Sequence, residues 1–115
     1  MAKDNITKLY KKLQKDYPDY LAAWNGVTTA SRGNGVIDDH TSHLIQLVAA
    51  AAVRSEGAVH SHVRRALDAG VAPREIEHAI LLATTSIGFP AVVAALSWAG
   101  DIIGKAGKPA KKRKG

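Results

Sequence analysis

Residues 48–70 read VAAAAVRSEGAVHSHVRRALDAG. An alanine-rich apolar run gives way to Arg54, Ser55 and Glu56, and apolar residues then return at Val59, Val63, Ala66 and Leu67. Intervals of three and four residues place those four side chains on one helical stripe. The stretch therefore predicts two helices meeting at a polar turn. The second spans about residues 55–69 and stops at Gly70, a residue fitted to the left-handed position just beyond a helix end.

The same period extends in both directions. Ile6, Leu9, Tyr10 and Leu13 mark a helix over about 4–16, and Pro18 opens another that reaches about Ala30. The SRGNG segment at 31–35 is a loop, and Asp38 and Asp39 offer an N-cap and a first-turn anion for a helix running to about Arg54. Pro73 and Glu75 open a fifth helix, and Pro90, after the GFP break at 88–90, opens a sixth that runs to about Gly104. No strand-like alternation runs beyond a few residues, so the expected class is all-α, with about six helices. The helix before Arg54 and the one after Pro90 are apolar around most of their circumference. A 115-residue chain has too little interior to hide both, which predicts a homo-oligomer with close, alanine-lined helix contacts.

Charge and composition remove several function classes. The chain has no cysteine, which excludes disulfides, thiolate zinc sites, iron–sulfur clusters and thiol catalysis together. Its net charge of +6 resides in the tail from Lys105 to Gly115, because the first 104 residues hold ten basic and ten acidic groups. The expected organisation is one helical domain over 1–104 and a disordered basic tail over 105–115. That tail is able to touch nucleic acid, but no aromatic residues are interleaved for base stacking, so a solubilising role is favoured. The apolar stretch 79–99 is split by Thr84, Thr85, Ser86 and GFP into pieces too short to span a bilayer. With no apolar leader at the N-terminus, a cytoplasmic protein without a membrane role is expected.

Five histidines carry the candidate chemistry. His62 lies between Val59 and Ala66, at the edge of the buried stripe, whereas His60 points about 200° away. Glu56, His60 and Arg64 fall on one row, read as a solvated or inter-subunit charged face. His40 and His43, at i and i+3, are able to join His62 in a three-histidine metal set, an alternative carried by spacing alone. His78 reads as surface or interface. No phosphate-binding glycine loop and no nucleophile-elbow serine is present.

The segment 37–99 resembles the carboxymuconolactone decarboxylase family, which is allied to the alkyl hydroperoxidase D-like proteins. HVRRAL at 62–67, APREIEHAI at 72–80 and GFPA at 88–91 carry the resemblance, closest to the gamma-carboxymuconolactone decarboxylase branch. The resemblance implies an all-α fold that forms homotrimers or homohexamers, a small-molecule lactone or organic-acid substrate, and no metal or other cofactor. His62 matches the family's motif histidine and is the implied acid–base group, with His43 as its catalytic companion on the facing helix. Arg54 and Arg65 are the candidate carboxylate clamps, and Ser55 is a third substrate-binding candidate. Peroxidase-type relatives carry a CxxC pair where this chain has Ser55 and Ala58, and a glutamate where it has His43, so their thiol relay is absent. The expected activity is a cofactor-independent decarboxylation. A non-catalytic ligand-binding member of the same fold is the alternative.

Overall fold

The computed structural model describes residues 2–33 and 35–107. Seven helices and no strand are present among the described residues: α1 (Ala2–Asp16), α2 (Pro18–Arg32), α3 (Asp39–Ala52), α4 (Glu56–Asp68), α5 (Pro73–Leu82), α6 (Thr84–Ile87) and α7 (Phe89–Gly107). They divide into two compact units after Asp39.

In the first unit α2 follows α1 with a single residue between them. Pro18 occupies the first turn of α2, where its missing N–H leaves no bond unmade. Tyr17, between the helices, donates its N–H to Leu13 O at 2.8 Å and accepts from Leu21 N at 3.2 Å. Leu21 is buried, while Leu9, Tyr17, Tyr20 and Trp24 remain exposed.

In the second unit α4 packs chiefly on α7, and α5 lies against α7 as well. Leu47, Val59, Val63, Ile76, Ile80 and Val92 are fully buried, with Ala51, Ala66, Ala95 and Ala99 between them. Alanine at those positions lets helix axes approach closely. The stripe read from the sequence is the stripe that is buried, for Val59, Val63 and Ala66 have no exposure. Both apolar helices bury one face alone. α3 exposes Ile45, with Val53 exposed just beyond its end, and α7 exposes Phe89 and Val93.

Two helix ends are built alike. At the end of α4, Gly70 has φ +91°, its N–H reaches Leu67 O at 3.0 Å, and Val71 N reaches Ala66 O at 2.9 Å. That is a Schellman motif with glycine in its left-handed position. At the end of α3 the same bonds run from Arg54 N to Ala51 O at 3.0 Å and from Ser55 N to Ala50 O at 3.2 Å. Here the left-handed residue is Arg54, with φ 58°.

One expected helix is two. Ala83 separates α5 from the single turn α6, where the Thr84 hydroxyl donates to Leu81 O at 2.6 Å. A side-chain hydroxyl that bonds to the preceding turn competes with the helix ladder and weakens it locally. α7 continues to Gly107, three residues past the expected stop. The remainder of the expected disordered tail lies outside the described residues.

Candidate functional site

Four of the five site residues expected from the sequence come from α4 and the turn before it. Ser55 is the N-cap: its backbone is extended, and its Oγ accepts the Ala58 N–H at 3.2 Å. The hydroxyl's acceptor capacity is thus engaged in starting the helix. Arg54, next to it, is exposed, and so is Arg65. His62 is half-buried on the core side of α4, one turn from Val59 and one from Ala66, with Nδ1 shielded from solvent. His43, the fifth, is equally half-buried on α3, one turn before Leu47, and its Nδ1 is shielded in the same way. These two imidazoles therefore each present one ring nitrogen to the protein interior.

The three-histidine metal set is not assembled. His40 Nε2 instead meets Glu75 Oε2 at 3.1 Å and ties α3 to α5. Glu75 also accepts the Ala72 N–H through Oε1 at 2.8 Å, half of a capping box that Ala72 has no side-chain oxygen to complete. The Ala72 N–H first, and then the His40 bond, hold the Glu75 carboxyl below the usual glutamate range. His78 is exposed.

The row Glu56, His60, Arg64 is not the solvated ladder its pattern suggests. His60 is 13% exposed, and its Nε2 lies 3.0 Å from Asp101 Oδ2 on α7. The reason is angular: His60 flanks Val59 and Val63 on the helix, so α7 covers part of it when it packs on that stripe. A ligand atom each of Glu56, His60 and Asp101 all lie within 4.8 Å of one another. One turn on, Arg64 Nη1 is buried with no hydrogen-bond partner among the described residues. Asp101 was missed by sequence reasoning, though a lone acid inside WAGDII is the signal that would have found it.

A second feature was also unanticipated. An open groove of about 470 Å³ runs between α3, α5 and α6, walled by Ile45, Val48, Leu82 and Ile87, with the hydroxyl residues Thr41 and Ser86 on its lining. None of His43, Arg54, Ser55, His62 or Arg65 lines it.

Comparison with known proteins agrees with this architecture. No curated protein matches the chain in sequence. Among solved structures, the apo crystal structure of a carboxymuconolactone decarboxylase family protein from Legionella pneumophila is similar in fold. Its TM-score is 0.77 at 20% identity, over 87% of this chain and 92% of that one. The sequence profile of the carboxymuconolactone decarboxylase family matches residues 18–101, well over half of the chain. Helix pattern, fold and profile coincide: the chain belongs to the carboxymuconolactone decarboxylase family.

Proposed function

We propose that this protein is a cofactor-independent carboxy-lyase acting on a small lactone or organic acid, with His62 as acid–base group and His43 assisting it. The observation that carries the reading is the placement of His62 on the core side of α4, half-buried, with a ring nitrogen sealed from water. Imidazole is the side chain best suited to exchange a proton with a substrate in general acid–base catalysis. Loss of CO₂ from a γ-carboxy unsaturated lactone leaves a dienolate delocalised into the lactone carbonyl. That carbanion takes a proton at carbon from a positioned acid, and its oxyanion is stabilised by nearby donors. A cation is needed to hold the substrate carboxylate. Arg54 is the candidate with a structural argument, because an arginine kept in a left-handed conformation that favours glycine retains its side chain at a cost. With no cysteine in the chain, thiol peroxidase chemistry has no nucleophile.

The site is read as acting within a cytoplasmic homotrimer or homohexamer. The exposed apolar side chains of Ile45, Leu81, Leu82, Phe89 and Val93, on α3, α5 and α7, support an assembled state that would cover them. No described helix is long and apolar enough to cross a membrane. A second reading, a non-catalytic binder of small apolar ligands, is favoured by the α3–α5–α6 groove, which shares no residue with the histidine pair.

The test is turnover of γ-carboxymuconolactone followed by absorbance, with the wild type, His62→Ala and His43→Ala. We expect His62→Ala to lose about a hundredfold or more in kcat. A wild type without turnover, or a fully active His62→Ala, overturns the reading. Light scattering of the eluting peak in gel filtration at the mass of one chain would remove the oligomer.

A further inference from the structure

We propose that Glu56, His60 and Asp101 form a binding site for a divalent first-row transition-metal ion, which clamps α4 to α7. The proposal does not rest on the lyase reading. His60 and His62 point about 200° apart on α4, so the two sites occupy different faces of one helix.

The donor set is mixed. One imidazole nitrogen and two carboxylate oxygens, all mutually within 4.8 Å, come from two helices that pack on each other. An ion bound at about 2.0–2.2 Å to each donor needs donor atoms roughly 3–4 Å apart. The Nε2–Oδ2 separation of 3.0 Å between His60 and Asp101 already lies at that edge length. Any remaining adjustment falls to side chains able to move, for Glu56 is exposed and the Asp101 side chain is 53% exposed. His60 is the fixed point, held at 13% exposure between α4 and α7. Glu56 and His60 are at i and i+4, the spacing that puts two ligands on one helix face in helical metal motifs.

Electrostatics point the same way. Two carboxylates share one imidazole, so without another cation the cluster carries an excess of negative charge at short range. A divalent ion brings two carboxylates and a neutral imidazole to zero. The imidazole favours zinc, cobalt or nickel over calcium and magnesium, which prefer all-oxygen shells. Three protein ligands leave at least one position for water or an incoming donor.

The experiment uses the full chain after chelator dialysis, titrated with Zn²⁺ in a calorimeter and with Co²⁺ by visible absorption. One ion per chain is expected. Glu56→Gln and Asp101→Asn should each weaken binding at least about tenfold, whereas His40→Ala and His78→Ala should leave it unchanged. Saturating Zn²⁺ should raise the Tm of the wild type by several degrees and that of Glu56→Gln by much less. Glu56 is exposed, so this variant tests the site even where His60→Ala compromises the fold. Absence of stoichiometric binding overturns the proposal. So does equal affinity in Glu56→Gln and Asp101→Asn, or displacement of Zn²⁺ by an equal concentration of Ca²⁺.

Discussion

Replacing Arg54 by glycine separates what this residue does for the fold from what it does for the site. Arg54 ends α3 with φ 58° and closes a Schellman motif whose bonds match those around Gly70. A left-handed conformation costs an L-residue about 1–2 kcal/mol, which glycine avoids. Glycine in turn frees the unfolded chain, an opposing effect of about 0.5–1 kcal/mol. The exposed side chain contributes no burial to lose. The net expectation is a gain of about 0.5–1 kcal/mol, or about 2–5 °C in Tm for a chain of this size. Calorimetry of Arg54→Gly and Arg54→Ala measures it, with the alanine variant close to wild type because it keeps a Cβ. A fall in the Tm of Arg54→Gly would refute the conformational reasoning. The same variant tests the carboxylate clamp. If the guanidinium is retained for substrate, Arg54→Gly should be more stable and less active, losing about tenfold or more in kcat/KM. A stabilised variant with unchanged turnover would take Arg54 out of the site.

Three further outcomes follow from single contacts. Ser55→Ala removes the cap on the Ala58 N–H and should cost about 1 kcal/mol, while Ser55→Asp should retain stability; equal melting temperatures for the two would remove the cap assignment. Glu75 has its carboxyl pKa depressed by the Ala72 N–H and then by His40, so its contribution to stability is present above the unfolded value and is lost as pH falls through the folded one. Denaturant melts of wild type and Glu75→Gln should therefore differ most at neutral pH, with the gap closing as pH falls below the ordinary glutamate range; a gap that widens on acidification contradicts this. Gly88 has φ +93° in the turn that leads into α7, so Gly88→Ala should destabilise by about 1–3 kcal/mol in urea melts, and an unchanged midpoint would show that the turn relaxes freely.

Much of the fold is written in local pattern. The Val59–Val63–Ala66 stripe, the stop at Gly70, the proline starts at Pro18 and Pro73 and the break at Gly88 depend on residues within a turn or two of one another, and each is where the period and turn chemistry put it. The departures need information from further away. The left-handed Arg54 gives no sequence signal, because arginine is not the residue that conformation favours. The His60–Asp101 contact spans 41 positions, and helical period tells which face a residue is on but not which helix will cover that face. The groove between α3, α5 and α6 depends on how three helices diverge, and on the break at Ala83 between α5 and α6. Of the site, the position of His62 at the edge of the buried stripe was legible, while that of His43 came from the family resemblance alone and the cap held by Ser55 was not read.

The two histidines of HSH at 60–62 had the same composition around them and part company in the structure for a geometric reason. A 200° separation sends one ring against α7 and a carboxylate, and the other to the core edge of α4. The rest of the imidazole inventory narrows in the same way. His40 is bonded to Glu75, His60 to Asp101, and His78 stands exposed. His43 and His62 are the two whose Nδ1 atoms are sealed from water among the described residues. In a family member that carries no cysteine, proton transfer at neutral pH falls to imidazole or to a carboxylate of raised pKa, and the Glu75 carboxyl is shifted the wrong way for that task. The match of His62 to the family's motif histidine and the inward-facing Nδ1 atoms of both rings are what concentrate the lyase proposal on His62 and His43. They also explain why the decisive comparison is between the two rings of one helix: His62→Ala should remove turnover, and His60→Ala should remove metal binding. A variant that exchanged those two effects would show that the faces of α4 had been assigned the wrong way round.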